Sequence, residues 1–286
     1  MELLDIHPHA IAADEKRYPF NPVDGKMSVW AKERPVTGEQ LLAAMDDAGV
    51  SRAAIVHAST AYGYDNSYAA DCAAAHPDRF RYVGAIDVTA PDAADKLSYW
   101  VKERGMVGFR IFAAGSTMAE DSGAWLDDPK TFPAWERAHE LAIPICVQTR
   151  FTNLNRLRTL LERFPHVNVI LDHFAHPPVE DGPPYAAAQP FFDLARYKNL
   201  YLKLTERIFH DLGKGKADPR SFLQKTVEGF GSDHIAWGSN FPSSPGTLPE
   251  LRDLAIREAA FLPERDRIAI FSGTAKNLYP SLGQPA

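Results

Sequence analysis

The sequence predicts an α/β fold, a distorted (β/α)8 TIM barrel, and three observations predict it. Eight short apolar runs of strand length alternate with segments of helical period. The runs are continuous more than alternating, the pattern of strands buried on both faces of a parallel sheet. The chain has 286 residues, and about 250 is usual for such a barrel.

Along the chain, strand 3–6 leads into a loop over 7–36. Thr37-Gly-Glu-Gln40 then forms a capping box, in which the Thr37 hydroxyl and the Gln40 side chain satisfy each other's free backbone N–H groups. Leu41, Leu42 and Met45 make the buried stripe of this helix, and Gly49 stops it. Strand 52–56 precedes a polar, aromatic stretch from His57 to Asn66, and strand 81–86 precedes a helix over 92–101. Strand 106–111 is followed by a loop over 112–130 and a helix over 132–141. Strand 143–147 leads to a helix whose Leu154, Leu157, Leu160, Leu161 and Phe164 share one face, closed by Pro165. Strand 167–171 precedes a loop over 173–189 and a short helix over 190–195. Strand 200–204 precedes a loop over 205–218 and a helix over 220–230. After strand 234–237 and the loop 238–247, Thr247-Leu-Pro-Glu250 repeats the capping signature, and a last helix spans 263–271.

No interdomain linker interrupts this alternation, so residues 1–286 read as a single barrel domain. An open, doubly wound sheet is disfavoured, because no Gly-x-Gly-x-x-Gly follows the first strand. In a barrel the long loops after the strands gather at the C-terminal face, where active sites lie.

Composition narrows the function. No run of about 18 apolar residues exists, so no transmembrane helix is expected. Residues 1–7 carry neither the basic start nor the apolar stretch of a signal peptide. Two cysteines, Cys72 and Cys146, make no disulfide framework. A net charge of −6 argues against a phosphate-backbone partner. The expectation is a cytoplasmic protein with a small-molecule substrate, anionic or cyclic, and with no nucleic-acid or membrane partner. Homo-oligomerisation stays open.

Several residues at strand ends are able to carry chemistry. His7-Pro8-His9 leaves the first strand, and alternate residues of an extended chain point one way. Asp172-His173 ends the sixth strand, so His173 is expected at the same rim as His7 and His9. Imidazole serves both as metal ligand and as acid or base near neutral pH. His176 reads as a loop residue. Asn240, in Gly238-Ser-Asn-Phe-Pro242, is expected to aim into the pocket from the eighth strand. Arg110 and Lys203 each sit alone in an apolar strand, where a charge must be paired or face a ligand. After the second strand, His57, Ser59, Tyr62 and Asn66 are candidates for substrate contact. Gln148 and Arg150 follow the fifth strand, and Tyr18 belongs to an aromatic set with Phe20, Trp30, Tyr62, Tyr64 and Phe112 suited to a flat ring. Neither cysteine has a visible basic partner, which disfavours a thiol nucleophile. No Gly-x-Ser-x-Gly elbow and no Walker loop are present.

With His7-Pro-His9, Tyr18-Pro19, Tyr62-Gly-Tyr-Asp-Asn66, Gly108-Phe-Arg110, Leu171-Asp-His173, Gly238-Ser-Asn-Phe-Pro242 and the closing Ser272-Gly-Thr-Ala-Lys-Asn-Leu-Tyr279 in this order, the chain resembles the amidohydrolase superfamily. It is most similar to the branch that holds 2-pyrone-4,6-dicarboxylate lactonase, sugar lactonases and sulfomuconolactone hydrolase. The resemblance implies an amidohydrolase-type barrel and hydrolysis of a lactone C–O bond, with decarboxylases and hydratases among the relatives. It implies that His7, His9 and His173 hold a metal or polarise substrate. Asn240 stands where the hydrolases carry a water-activating aspartate, and Gln148 stands where the wider superfamily has a metal-ligand histidine. These departures remove a two-metal reading. They leave open one divalent ion, zinc or manganese, on His7, His9 and His173, or no metal. A lactonase-like hydrolase is the leading reading, with a lyase on the same scaffold and a catalytically weak binder as alternatives.

Overall fold

A computed structural model describes residues 1–115, 117–118 and 122–284; the expected loop 112–130 lies partly outside the described residues. Eight strands form one parallel sheet in chain order. They are β1 (Leu4–Asp5), β2 (Arg52–Val56), β3 (Phe80–Ala85), β4 (Gly108–Phe112), β5 (Ile145–Gln148), β6 (Val169–Asp172), β7 (Leu200–Leu204) and β8 (Ile235–Trp237). Each lies within two residues of its expected place, because a doubly buried strand leaves an unbroken apolar run. The barrel comes round where β8 meets β1. There the Ile6 N–H donates to the Trp237 carbonyl at 3.3 Å, and the His9 N–H to the Phe241 carbonyl at 2.8 Å. A Cβ at Gly238 would lie 2.5 Å from the His7 Cβ, so this close approach requires glycine.

Strand alternation divides the core into two layers. Ala53, Ile55, Phe80, Tyr82, Phe109, Ile111, Val169, Leu171, Leu202 and Leu204 face the surrounding helices. Leu4, Ile6, Ala54, Val56, Val83, Cys146, Ile170 and Ala236 fill the barrel interior. The same alternation turns Arg110, Asp172 and Lys203 inward, near the C-terminal ends of their strands.

Both capping boxes form, at Thr37–Gln40 and Thr247–Glu250, and Gly49 ends its helix in the left-handed conformation. The expected helix over 263–271 does not end at Phe271. Glu264–Ile268 passes through a π-helical turn, Ala269–Gly273, into Thr274–Leu278, whose end plugs the barrel floor. The long loops are also less bare than expected, with short helices at Val29–Glu33, Ser59–Tyr62 and Glu206–Asp211. Among the described residues, no helix is long and apolar enough to cross a membrane.

Candidate active site

A cavity of about 440 Å³ opens at the C-terminal ends of the strands. His9, His173 and Asn240 line it, with Ser59, Arg110, Gln148 and Arg150 from the expected set. The His7 ring lies 4.9 Å from that of His9 and 5.0 Å from that of His173, so the three histidines do converge. His7 itself is fully buried beneath the cavity wall, and neither of its ring nitrogens has a hydrogen-bond partner.

The ring nitrogens of the other two are constrained. His9 Nδ1 lies 2.7 Å from the Val56 carbonyl, which only accepts, so this nitrogen carries the proton. Burial, and after it the Arg110 charge, lowers the His9 pKa to about 3, so the neutral ring presents a lone pair at Nε2. His173 Nδ1 is held 2.7 Å from the Thr205 hydroxyl, and burial also pushes its pKa well below the ordinary value. Trp30 stacks on the His9 ring at 5.1 Å.

Asp172 explains the two lone cations. Its carboxylate pairs with Lys203 Nζ at 2.8 Å and with Arg110 Nε at 2.7 Å. Lys203 is its register neighbour on β7. Burial alone would raise the Asp172 pKa, but Lys203 and Arg110 together outweigh it and hold the group ionised. A further Arg110 nitrogen, Nη2, donates to Gln148. Lys203 is therefore an internal ion-pair partner outside the cavity, which corrects the expectation of substrate contact; Arg110 is both ion-paired and cavity-lining. Cys146 does have basic company, since Lys203 Nζ stands 3.4 Å from its Sγ. Burial nonetheless raises its thiol pKa, and it faces the barrel core away from the cavity.

Four more expected contacts lie elsewhere. The Tyr18 hydroxyl donates to Asp71 at 2.7 Å, and the Tyr62 hydroxyl accepts from the Ala12 N–H at 2.7 Å. Both rings pack in a satellite cluster with Phe20. Asn66 clamps Ala85 through both its amide atoms, at 2.6 and 3.0 Å. His57 Nε2 bonds the Gly63 carbonyl at 2.9 Å. Tyr62, Asn66 and His57 each satisfy a backbone group that the loop would otherwise bury unpaired. Of the aromatic set, Trp30 and Phe112 reach the cavity.

Sequence reasoning missed His176, Arg207, His210, Asp211 and Lys214, which also line the cavity. His176 Nδ1 pairs with Asp211 at 2.8 Å, and Lys214 pairs with the same carboxylate. Most of this group lies on the short helix Glu206–Asp211, and its only sequence signal was a long loop after β7. Arg207 makes no side-chain hydrogen bond or ion pair among the described residues, and burial lowers its pKa. Arg150 Nε is likewise buried without a partner.

Backbone strain concentrates here. His173, Phe174, Ala175 and His176 run consecutively at φ from 51° to 59°, and Asn240 has φ 57°. Left-handed non-glycine residues cost about 1–3 kcal/mol each and persist where the surroundings fix them.

A family model described as amidohydrolase matches residues 4–281. The chain belongs to this family. It is an amidohydrolase-type enzyme. An L-fucono-1,5-lactonase from Burkholderia ambifaria is 26% identical over 249 residues, covering 84% of this chain and 80% of the relative. Solved structures share the fold across 98% of the chain. A probable 2-pyrone-4,6-dicarboxylic acid hydrolase from Acinetobacter baumannii, with citric acid bound, has a TM-score of 0.75 at 17% identity over all of its length. A Burkholderia multivorans amidohydrolase with bound zinc has 0.76 at 20%, over 99% of its length. A dihydroxybenzoic acid decarboxylase from Polaromonas with bound manganese has 0.69 at 19%, over 97%.

The residues of this chain suit such an ion poorly. Among the described residues, no three His, Cys, Asp or Glu side chains stand in a metal-holding group. The carboxylate beside His7, that of Asp172, is already shared by two cations. Asn240 supplies no charge, and Lys203 and Arg110 would repel a divalent ion at His7.

Proposed function

We propose that this enzyme hydrolyses the ester C–O bond of a small lactone that bears a carboxylate. The observation that carries the reading is the cavity itself. Two neutral imidazoles with free Nε2 atoms share it with the guanidiniums of Arg150 and Arg207, which make no direct ion pair among the described residues. Both guanidiniums are half-buried at the cavity wall, and their planar donor forks are placed to take the substrate carboxylate. Arg110, anchored by Asp172 and Gln148, polarises the lactone carbonyl. A water with one O–H bonded to the Asn240 amide oxygen and the other aimed at His173 Nε2 adds to the carbonyl carbon. His173 Nε2 takes its proton and returns it to the ring oxygen as the C–O bond breaks, leaving a hydroxy acid. Charge stabilisation of the oxyanion by Arg110 is the largest catalytic contribution. No step uses a metal.

A second reading, a decarboxylating lyase, draws on the absence of a carboxylate at position 240 and on the decarboxylase neighbour.

A panel of carboxylated and neutral lactones, followed by proton release and product mass, separates the two. Hydrolysis of a carboxylated lactone is expected, with Arg207→Gln raising KM about tenfold, the worth of one charge-assisted contact. His173→Ala should lower kcat by at least about a hundredfold in a folded protein. Adding zinc or manganese to chelator-treated enzyme should leave the rate unchanged. Loss of carbon dioxide, or metal-dependent turnover, would overturn the reading.

A further inference from the structure

The Asn240 side chain does not stand alone. Its Nδ2 donates to the Ser244 hydroxyl at 2.9 Å, and that hydroxyl donates to Glu206 Oε2 at 2.7 Å. Asn240 and Ser244 are each about 2% exposed. The Ser244 N–H also donates to the Asn240 carbonyl at 2.8 Å, closing the turn in which Asn240 takes its left-handed conformation.

We infer that Glu206 is a positioning residue that acts through Ser244 to fix the Asn240 amide with its oxygen toward the cavity. This rests on the hydrolytic reading above. A serine hydroxyl has one proton. With that proton committed to a carboxylate, Ser244 Oγ only accepts, so the Asn240 group facing it must be the NH2. The amide oxygen, which makes no hydrogen bond among the described residues, is left as an acceptor at the cavity wall. The proton order Asn240 NH2, Ser244 OH, Glu206 carboxylate is self-consistent. A carboxylate at position 240 would set two carboxylates on one hydroxyl proton, and one of them would lose its bond. The amide at 240 and the acid at 206 are therefore a matched pair. The negative charge expected on β8 sits instead behind it, at the start of the helix after β7. The preceding residue, Thr205, holds His173 Nδ1, so two adjacent residues orient both groups that handle the water.

The test is a swap cycle of Glu206→Gln, Asn240→Asp and the double variant, with two readouts. On a lactone turned over by the wild type, each single variant should lose about tenfold or more in kcat with KM within about twofold, the scale of one charge-assisted hydrogen bond. The double variant should regain most of the loss, because the amide placed at 206 donates to Ser244, and Ser244 then donates to the carboxylate placed at 240. It should also gain an acidic limb in its pH–rate profile. A packing role predicts losses that add. The second readout needs no turnover. By NMR, the Asn240 side-chain NH2, identified by its absence in Asn240→Asp, should be protected from exchange in the wild type and lose protection in Glu206→Leu, which leaves the Ser244 proton no acceptor at 206 and frees it to turn to Asn240. Unchanged protection, or additive losses in the double variant, would overturn the inference. Failure to hydrolyse any lactone with the protection pattern intact would overturn the hydrolytic reading alone.

Discussion

At the floor of the barrel, Leu278, Tyr279 and Leu282 pack on Leu4, Ala54, Ile170 and Ala236, and nearly every buried atom is carbon. At the rim, His7, Arg110, Asp172 and Lys203 are buried to a similar degree under an open cavity. The floor has one polar contact of note, the Tyr279 hydroxyl 3.4 Å from Cys146 Sγ. The rim holds two ion pairs on Asp172 and two on Asp211, five left-handed non-glycine residues and unpartnered atoms on His7, Ser59 and Thr149. The difference separates what burial does at each end. Apolar burial at the floor stabilises the fold. Polar burial at the rim costs stability and yields fixed charges and neutral imidazoles facing a ligand.

Acid should break this contrast most severely. Burial holds His7, His9, His57 and His173 neutral, His9 down to about 3 and His57 to about 4. In the unfolded chain these groups bind protons near the ordinary value of about 6.5. Stability is therefore full above that value and falls as pH drops through the window toward 3. The slope is about 1.4 kcal/mol per pH unit for each histidine that stays neutral in the fold. Urea midpoints measured between about pH 7 and 5 should fall steeply, and a flat profile would contradict the burial of these rings.

Asp172→Asn comes next. It leaves two cations buried without their carboxylate, at a cost of about 3–5 kcal/mol, read by chemical denaturation. Activity should fall with it, because Arg110 loses its anchor. Leu278→Ala at the floor should cost a comparable or smaller amount, about 2–5 kcal/mol, yet leave kcat within about twofold. A large kcat loss there would show that the two ends are coupled. Tyr279→Phe is the mildest. It removes one weak contact worth about 1 kcal/mol, visible as a small shift in Tm with unchanged turnover.

How much was legible beforehand follows the same division. Unbroken apolar runs located all eight strands, and Thr37–Gln40 and Thr247–Glu250 located two helix starts, since both signals are local. His7, His9, His173 and Asn240 were legible as strand-end residues. Tyr18, Tyr62, Asn66 and His57 misled, because a polar residue beside a predicted pocket also serves to satisfy groups of neighbouring loops, helices and strands, and local sequence does not distinguish the two. Arg207, His210 and Lys214 were invisible, since the region after β7 carries no periodic pattern long enough to announce its helix.

The sequence by itself determined the succession of strands and that Arg110 and Lys203, each alone in an apolar strand, must be paired or face a ligand. Only the tertiary structure decided that both turn inward and meet Asp172, that Arg150 and Arg207 reach one cavity, and that Glu206 stands behind Asn240. The reason is geometric. Alternation assigns a side chain to a face, whereas its partner depends on which strands and loops the closed sheet brings within about 3 Å, the reach of a hydrogen bond.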